Sequence, residues 1–444
     1  MAGKEAIGSN NNDVLTGTTR TNSGRHKGRC IFQQSNHLVI TDSRHDLPCL
    51  LDRFALDRIK KVMNFKYPVY SPYLNGREKA LVLDCLESTW ISSKGKYVGQ
   101  FEETFASWLG VDRAVTVSNG TVALHVALAA LGIGPGDEVL VPTLTYIASA
   151  NAVKYTGANV VFVDSERDYW QIDIEDAARK ITDKTKAIMV VHLYGQATDM
   201  DAVMALAKKH SLYVIEDCAE AIGTRYRDRA VGTIGDVGCF SFFGNKTITT
   251  GEGGMVVTNN PQIADKVVHL KGQGVCRERE YWHDAIGFNY RMTNICAAIG
   301  CAQMESIDDL IAKKLQIAQW YREGLAGLPL QLHRTHPDTL HTFWMVSILV
   351  EQASGRDALR AHLGQAGIET RPLFYPVHQM DMYASAASHF PVADDLSRRG
   401  INLPSYPALT RDDVGFICGQ IREYFAVELS PPEPQVRDEA LAMK

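Results

Sequence analysis

Ser211-Leu212-Tyr213-Val214-Ile215-Glu216-Asp217 is the stretch from which the fold of this chain can be read. Residues 212–215 are apolar and β-prone, a short run that reads as a buried strand, and the chain leaves it on a carboxylate, Asp217. In open α/β sheets ligands bind beyond the carboxyl ends of the strands, so Asp217 stands where a ligand would meet it. An aspartate there also reads as an ordinary cap for the next helix. Similar runs recur at residues 139–141, 160–163, 187–191 and 239–243, with helical patterns between several of them. This alternation predicts a mostly parallel sheet with helices on its faces. A helix over about residues 294–319 should end this large domain. After it, a strand at 343–350, a helix at 356–364 and Gly367-Ile368-Glu369-Thr370-Arg371-Pro372 read as a smaller α+β domain.

Two further segments give the Asp217 reading its chemistry. The run Ser241-Phe242-Phe243-Gly244-Asn245-Lys246 brings one lysine off a strand, and Thr249-Thr250-Gly251-Glu252-Gly253-Gly254 follows it. Those glycines allow positive φ or close approach of the backbone to a ligand. A lone lysine after a strand is also an ordinary solvated loop residue. Upstream, Ser118-Asn119-Gly120-Thr121 lies between a β-prone run at 114–117 and an Ala/Leu-rich segment at 122–131 that reads as a buried helix. Its N-terminus, with Asn119 or Thr121 near the cap, is an anion site with small residues that admit a phosphate; Asn-Gly is an ordinary turn signal as well. A phosphate cradle, a strand-end aspartate and a loop lysine together match pyridoxal phosphate. The aspartate would keep the pyridine nitrogen protonated and the lysine would hold the aldehyde as a Schiff base.

From about Tyr70 to Phe425 the chain resembles the DegT/StrS group of sugar-nucleotide aminotransferases, which are fold type I pyridoxal phosphate enzymes of the aspartate aminotransferase-like kind. The resemblance rests on Thr89-Trp90-Ile91-Ser92-Ser93, Asn119-Gly120-Thr121, Pro142-Thr143-Leu144-Thr145-Tyr146-Ile147-Ala148-Ser149 and His192-Leu193-Tyr194-Gly195-Gln196. It rests equally on Glu216-Asp217-Cys218-Ala219-Glu220-Ala221, the Lys246 segment and Gly287-Phe288-Asn289-Tyr290-Arg291-Met292. It implies that Lys246 binds the cofactor and then moves a proton as general acid and base, with Asp217 as the pyridinium partner. It further implies that Gly120, Thr121 and Ser241 contact the phosphate and that Tyr146 stacks on the ring. Glu220 and Gln196 would lie near the ring, and Asn289 would reach the phosphate of a second subunit in a homodimer with shared sites. Trp90, Arg371 and His378 would border the sugar nucleotide.

Each of these residues has an ordinary reading beside the functional one. Tyr146 also reads as core, Asn289 as a turn or cap ahead of the helix near Thr293, and Arg291 as the partner of a structural carboxylate. His192 reads as a satisfied strand-end histidine and Glu220 as support for a helix start. Arg371 and His378 also read as surface. Related dehydratases carry histidine in place of the lysine, so Lys246 implies amine transfer, with glutamate as donor. The neighbourhoods of Trp90 to Ser93, Gln273 and Trp282 are similar to members that convert GDP-4-keto-6-deoxymannose to GDP-perosamine. A UDP- or dTDP-linked ketosugar is the alternative, and so is a pyridoxal phosphate-binding regulator without turnover. Lys271, Arg277, Arg279 and Arg371 are candidate cations for nucleotide phosphates.

Composition agrees with an ordinary globular enzyme. The chain has 444 residues, is 45% hydrophobic and 22% charged, and carries a formal net charge of −5, which does not point to a nucleic-acid or membrane surface. No apolar run reaches the roughly 20 residues of a spanning helix. Nine cysteines, dispersed and without a C-x-x-C pair, favour free thiols in a reducing, cytoplasmic setting and give no metal site. Cys218, Cys239 and Cys296 lie in apolar stretches and read as core. Residues 1–50 form a polar extension expected to be disordered; residues 1–29 also read as a transit peptide, being Ser/Thr-rich and poor in acids. The expected organisation continues with a short helical lead-in at 51–69, in which residues 51–65 place Leu51, Phe54, Ile59 and Val62 near one helical face. The large domain then covers 70–320, the small domain 321–430 and a flexible tail 431–444.

Overall fold

The computed structural model describes residues 65–384 and 389–428, all within one continuous contact unit, Leu56–Lys444. The N-terminal extension, the lead-in as far as residue 64 and the tail at 431–444 lie outside the described residues. From residue 65 the chain is extended where a helical lead-in is expected. Pro68 biases Tyr67 away from helix, and Tyr67 instead bridges Ile368 in parallel, donating its N–H to the Gly367 carbonyl at 3.0 Å.

In chain order the first strands are β1 (Arg113–Val117), β2 (Glu138–Pro142), β3 (Asn159–Val163), β4 (Thr185–Val191) and β5 (Tyr213–Asp217). There follow β6 (Arg225–Tyr226), β7 (Arg229–Ala230), β8 (Val237–Ser241), β9 (Gly254–Thr258), β10 (Leu330–Leu332) and β11 (Thr339–Leu340). The last are β12 (Val346–Val350), β13 (Arg371–Pro372) and β14 (Gly400–Leu403). Among the described residues a seven-stranded sheet runs β1-β9-β8-β5-β4-β2-β3, and its pairings are parallel except those made by β9. Its central strands are buried and largely apolar because helices cover both faces, as a parallel sheet requires, with polar residues at their ends. The helix Gly120–Ala130 packs against that sheet and is buried on nearly every side, so it carries alanine and leucine all round instead of one apolar stripe. A second sheet, β10-β12-β14-β13, is antiparallel, which makes the C-terminal part α+β. No described helix is long and apolar enough to cross a membrane.

Two elements differ from the sequence reading in ways that shape the site. The helix expected over 294–319 is two helices, Asn294–Met304 and Ile307–Gly324, broken where Ser306 takes φ −119° and ψ 9°. The first packs against the helices Arg77–Glu87 and Lys96–Leu109 and the second against Arg411–Glu428, so one straight axis would not present both faces correctly. The strand expected from 343 begins only at Val346. Phe343 has a left-handed φ of 48°, and residues 342–344 pack against Gly195, where a β-carbon would lie 2.9 Å from the Phe343 nitrogen.

Candidate active site

The strand ends β2, β4, β5 and β8 lie on one edge of the large sheet, with Val191 opposite Asp217 and Asp217 opposite Cys239. The end of β1 and the start of β9 join them there, since Val117 pairs with Gly254 and Gly254 with Ser241. Residues far apart in sequence are thereby gathered at the carboxyl ends of the parallel strands, the place where such sheets bind ligands.

Asn119 caps the helix Gly120–Ala130, its Oδ1 accepting from Val122 N at 3.0 Å. The first-turn N–H groups of Gly120 and Thr121 have no intrahelical acceptor and are suited to an anion. A β-carbon at Gly120 would lie 2.7 Å from the Ser241 Cβ, and one at Gly254 would lie 2.5 Å from the Asn119 carbonyl oxygen. Only glycine permits this closeness of helix start, Ser241 and β9. Gly120, Thr121 and Ser241 therefore form one small-residue corner.

Asp217 is buried and held from two sides. Ser149 Oγ donates to its Oδ2 at 2.7 Å and Ala219 N–H to its Oδ1 at 3.1 Å, while Thr145 Oγ1 lies 3.1 Å from Ser149 Oγ. Burial pushes the Asp217 carboxyl up; the Ser149 hydroxyl, the Ala219 N–H and the charge of Lys246 pull it back. Glu220, also buried, accepts from Tyr194 N–H at 2.9 Å. Burial raises it from 4.5 to about 7 against the pull of Lys246, with Asp217 adding to the rise. Lys246 is half-buried, and desolvation lowers its amine while Glu220 and Asp217 hold it up. Its Nζ lies 4.0 Å from the centre of the Trp344 ring, and the Trp344 indole N–H donates to the Asn245 carbonyl at 2.7 Å. The Tyr70 hydroxyl donates to the Lys246 carbonyl oxygen. One amine and two buried carboxylates thus share one electrostatic neighbourhood, the signature of a chemical site.

This donor set fits pyridoxal phosphate. It offers a small-residue helix end for the phosphate, a buried carboxylate with fixed orientation for the ring nitrogen, and a desolvated amine for the aldehyde. Asn245 Oδ1, on the residue before Lys246, is buried without a hydrogen-bond partner among the described residues. The other expected residues are distributed unevenly around this group. Tyr146 is largely exposed, its ring 5.8 Å from that of Phe374. Gln196 is fully buried, its amide donating to the Ala197 carbonyl at 3.1 Å and its Oε1 accepting from His336 N–H at 3.4 Å, so those groups are committed away from Lys246. Asn289 is exposed and accepts from Arg291 Nη2 at 3.0 Å. Trp90 is exposed, with its carbonyl accepting from Asn294 Nδ2 at 2.7 Å. Arg371 is exposed and pairs with Glu369 at 3.3 Å.

His378 is buried, unlike its surface reading. Its Nδ1 lies 2.7 Å from Thr143 Oγ1 and its Nε2 3.3 Å from Asp394 Oδ1, so it joins the loop after β2 to the helix Pro391–Arg399. Lys271 is not available to a nucleotide, because its Nζ is taken by the Thr116 carbonyl at 2.7 Å and Glu102 at 3.3 Å. Cys296 is only partly buried, whereas Cys218 and Cys239 are core. His192, Glu216 and Cys218 bring potential metal-ligand atoms within 4.8 Å of one another. Their donors and acceptors are already matched. Thr198 N–H donates to His192 Nδ1 at 3.1 Å, leaving Nε2 to donate to Glu216 at 3.0 Å, and Gly232, Ile234 and Gly235 supply N–H groups to the same carboxylate. That network fixes the β4 and β5 ends and is read as structural.

Sequence reasoning passed over Ser149, Tyr194 and Trp344. Ser149 and Tyr194 stand inside motifs quoted for the family resemblance, but nothing in their spacing links them to Asp217 or Glu220. Trp344 read simply as the start of an apolar strand.

Residues 72–422 match the profile of the DegT/DnrJ/EryC1/StrS aminotransferase family. The chain is 58% identical over 359 residues to the GDP-perosamine synthase of Escherichia coli O157:H7, covering 81% of this chain and 98% of that one. It is 53% identical over 362 residues to the GDP-perosamine synthase of Vibrio cholerae, covering 81% and 99%. Its fold is similar to the pyridoxal phosphate form of the putative sugar aminotransferase Spr1654 from Streptococcus pneumoniae, with a TM-score of 0.78 and 26% identity over 83% of this chain and all of that one. On the profile match, the identities and the gathered donor set, this chain belongs to the DegT/DnrJ/EryC1/StrS aminotransferase family.

Proposed function

We propose that this enzyme transfers an amino group from glutamate to C4 of a nucleotide-linked 4-keto-6-deoxy sugar, with GDP-4-keto-6-deoxymannose as acceptor and GDP-perosamine as product. The observation that carries the reading is the Lys246 amine, desolvated at the strand ends beside Asp217 and Glu220. The names of the relatives at 58% and 53% identity support the choice of sugar. Pyridoxal phosphate supplies an electron sink when bound, which lets a proton leave the carbon next to nitrogen. Gly120, Thr121 and Ser241 would hold its phosphate, Asp217 its ring nitrogen and Lys246 its aldehyde.

The chain's own groups then do the proton work. A desolvated amine releases its proton more readily than a solvated one, so Lys246 can take a proton from the donor's Cα and later return one to the sugar's C4. Ser149 and Ala219 keep the Asp217 carboxylate in one orientation. Glu220, ionising close to neutral pH, adjusts the field around the amine. The Trp344 ring covers one side of Lys246 Nζ.

We propose further that the active form is a homodimer to which Asn289 contributes across the interface. Supporting this, Asn289 is exposed, and nearby Tyr281 and Ile286 are 98% and 93% exposed, an unusual setting for large apolar side chains. A fully active monomer in sedimentation equilibrium would refute that part.

Turnover with glutamate and a panel of GDP-, UDP- and dTDP-linked ketohexoses tests the substrate. Amination of the GDP sugar alone is expected, and no turnover of it would sink the assignment. The visible cofactor band should bleach on glutamate alone and return on adding ketosugar; a regulator without turnover would show neither change.

A further inference from the structure

Lys314 occupies a position where the packing pattern calls for a hydrocarbon. On the helix Ile307–Gly324 it shares the buried face with Leu310, Ile317, Ala318 and Tyr321, and it is 1% exposed. Its Nζ donates to the carbonyl oxygens of Trp344, at 2.9 Å, and Ser405, and lies 5.6 Å from the centre of the Tyr70 ring. Burial alone pushes the amine down, to about 7, with no carboxylate among the described residues to support it. A methionine would fill a similar volume without desolvating an amine, so packing does not account for a lysine here.

The two carbonyls have a particular place in the fold. β12 and β14 pair from Val346–Leu403 to Leu349–Gly400, so Trp344 and Ser405 face each other two positions beyond the last pair. Lys314 closes that open end. The two residues it touches toward the active site both grip the lysine loop. Trp344 donates to the Asn245 carbonyl and lays its ring under Lys246 Nζ, and Tyr70 donates to the Lys246 carbonyl.

We propose that Lys314 is a positioning residue for Lys246, which it sets in place by pinning the Trp344 carbonyl and the Tyr70 ring. This rests on Lys246 being the reacting amine of the proposed function. Losing Lys314 releases the Trp344 main chain and the Tyr70 ring, so the Trp344 ring shifts under the nitrogen of Lys246, which then loses a ring face that favours its charged form.

The test uses the pyridoxal phosphate-loaded full chain. Lys314→Met keeps length and bulk without donors, and Lys314→Gln keeps an N–H donor. For each, kcat, KM, melting temperature and the pH midpoint of the visible band of the lysine-bound cofactor are measured. Lys314→Met should lower kcat about tenfold with KM within about twofold, the loss of one desolvated ring–cation contact, and move the midpoint to lower pH. Lys314→Gln should recover most of kcat. A lowered melting temperature with unchanged kcat and midpoint would overturn the proposal, since a merely structural lysine behaves that way. If Lys314→Met does not fold, Tyr70→Phe decides: it leaves Lys314 in place, should lower kcat and shift the midpoint in the same direction, and overturns the proposal if both stay at wild-type values. Lys246→Ala separates the two readings, because cofactor still fixed to the chain by borohydride reduction in that variant would overturn Lys246 as the reacting amine.

Discussion

Replacing Glu220 by glutamine should remove a pH-dependent weakness of the cofactor-free protein. Glu220 is buried with a single hydrogen bond among the described residues, from Tyr194 N–H, and ionises at about 7 where an unfolded chain's glutamate ionises at 4.5. Between those values the folded state keeps a proton that the unfolded state has lost, so unfolding releases a proton and stability falls as pH rises. The contribution is fully present below 4.5 and gone above about 7. At roughly 1.4 kcal/mol per pH unit, the gap amounts to about 3 kcal/mol. Glutamine keeps an acceptor for Tyr194 and has no charge to desolvate. Urea denaturation of wild type and Glu220→Gln from about pH 4.5 to about pH 8 isolates this group, since all other titrations are shared. The stability difference in favour of the variant should grow by about 3 kcal/mol across that range, most steeply near pH 6. A difference that stays flat, or one that shrinks toward alkaline pH, would refute the claim that Glu220 is desolvated and weakly compensated.

Lys246→Ala should lose at least about 10²-fold in kcat, because general acid–base catalysis disappears along with the cofactor's anchor; single-turnover kinetics with glutamate measure it. Gly120→Ala should weaken pyridoxal phosphate binding and cost about 1–3 kcal/mol of stability, since the added carbon meets Ser241 at 2.7 Å; fluorescence titration with the cofactor and a melting curve check the two effects. Glu216→Ala should cost about 3–5 kcal/mol, because it strands three backbone N–H groups and the His192 proton in the core. Burial pushes Glu216 up, but His192 and the N–H groups of Gly235 and Gly232 outweigh it and hold the carboxyl below the usual glutamate range, so its contribution is present above 4.5 and lost as pH falls through the folded value. The stability gap between wild type and variant should therefore narrow as pH falls below 4.5, and a wild-type urea midpoint for the variant at neutral pH would count against the network.

Much of the site was legible because its parts are local. A strand-end aspartate, a helix N-terminus with a small-residue cap and a lysine just after a strand each announce themselves through period and composition over about ten residues. The parallel sheet was legible for the same reason, since strands covered on both faces must be largely apolar. Other features depend on a partner distant in the chain. Lys314 stood at helical spacing among Leu310, Ile317 and Tyr321, a visible anomaly whose meaning required Trp344 and Ser405 on other elements. His378 read as surface because its burial comes from Thr143, Phe390 and Asp394. Lys271 read as a phosphate ligand because Glu102 and Thr116, which occupy it, lie more than a hundred residues upstream.

The amino-acid sequence by itself determined the class of sheet and the family, and it singled out Lys246 and Asp217 as candidates. Those depend on side-chain type at fixed local spacing. Only the tertiary structure decided how the lysine is held: Trp344 beneath its amine, Tyr70 on its carbonyl, Glu220 in its field and Lys314 behind them. Desolvation and mutual charge depend on which groups come within a few ångströms of one another, and that is set by the packing of the two sheets.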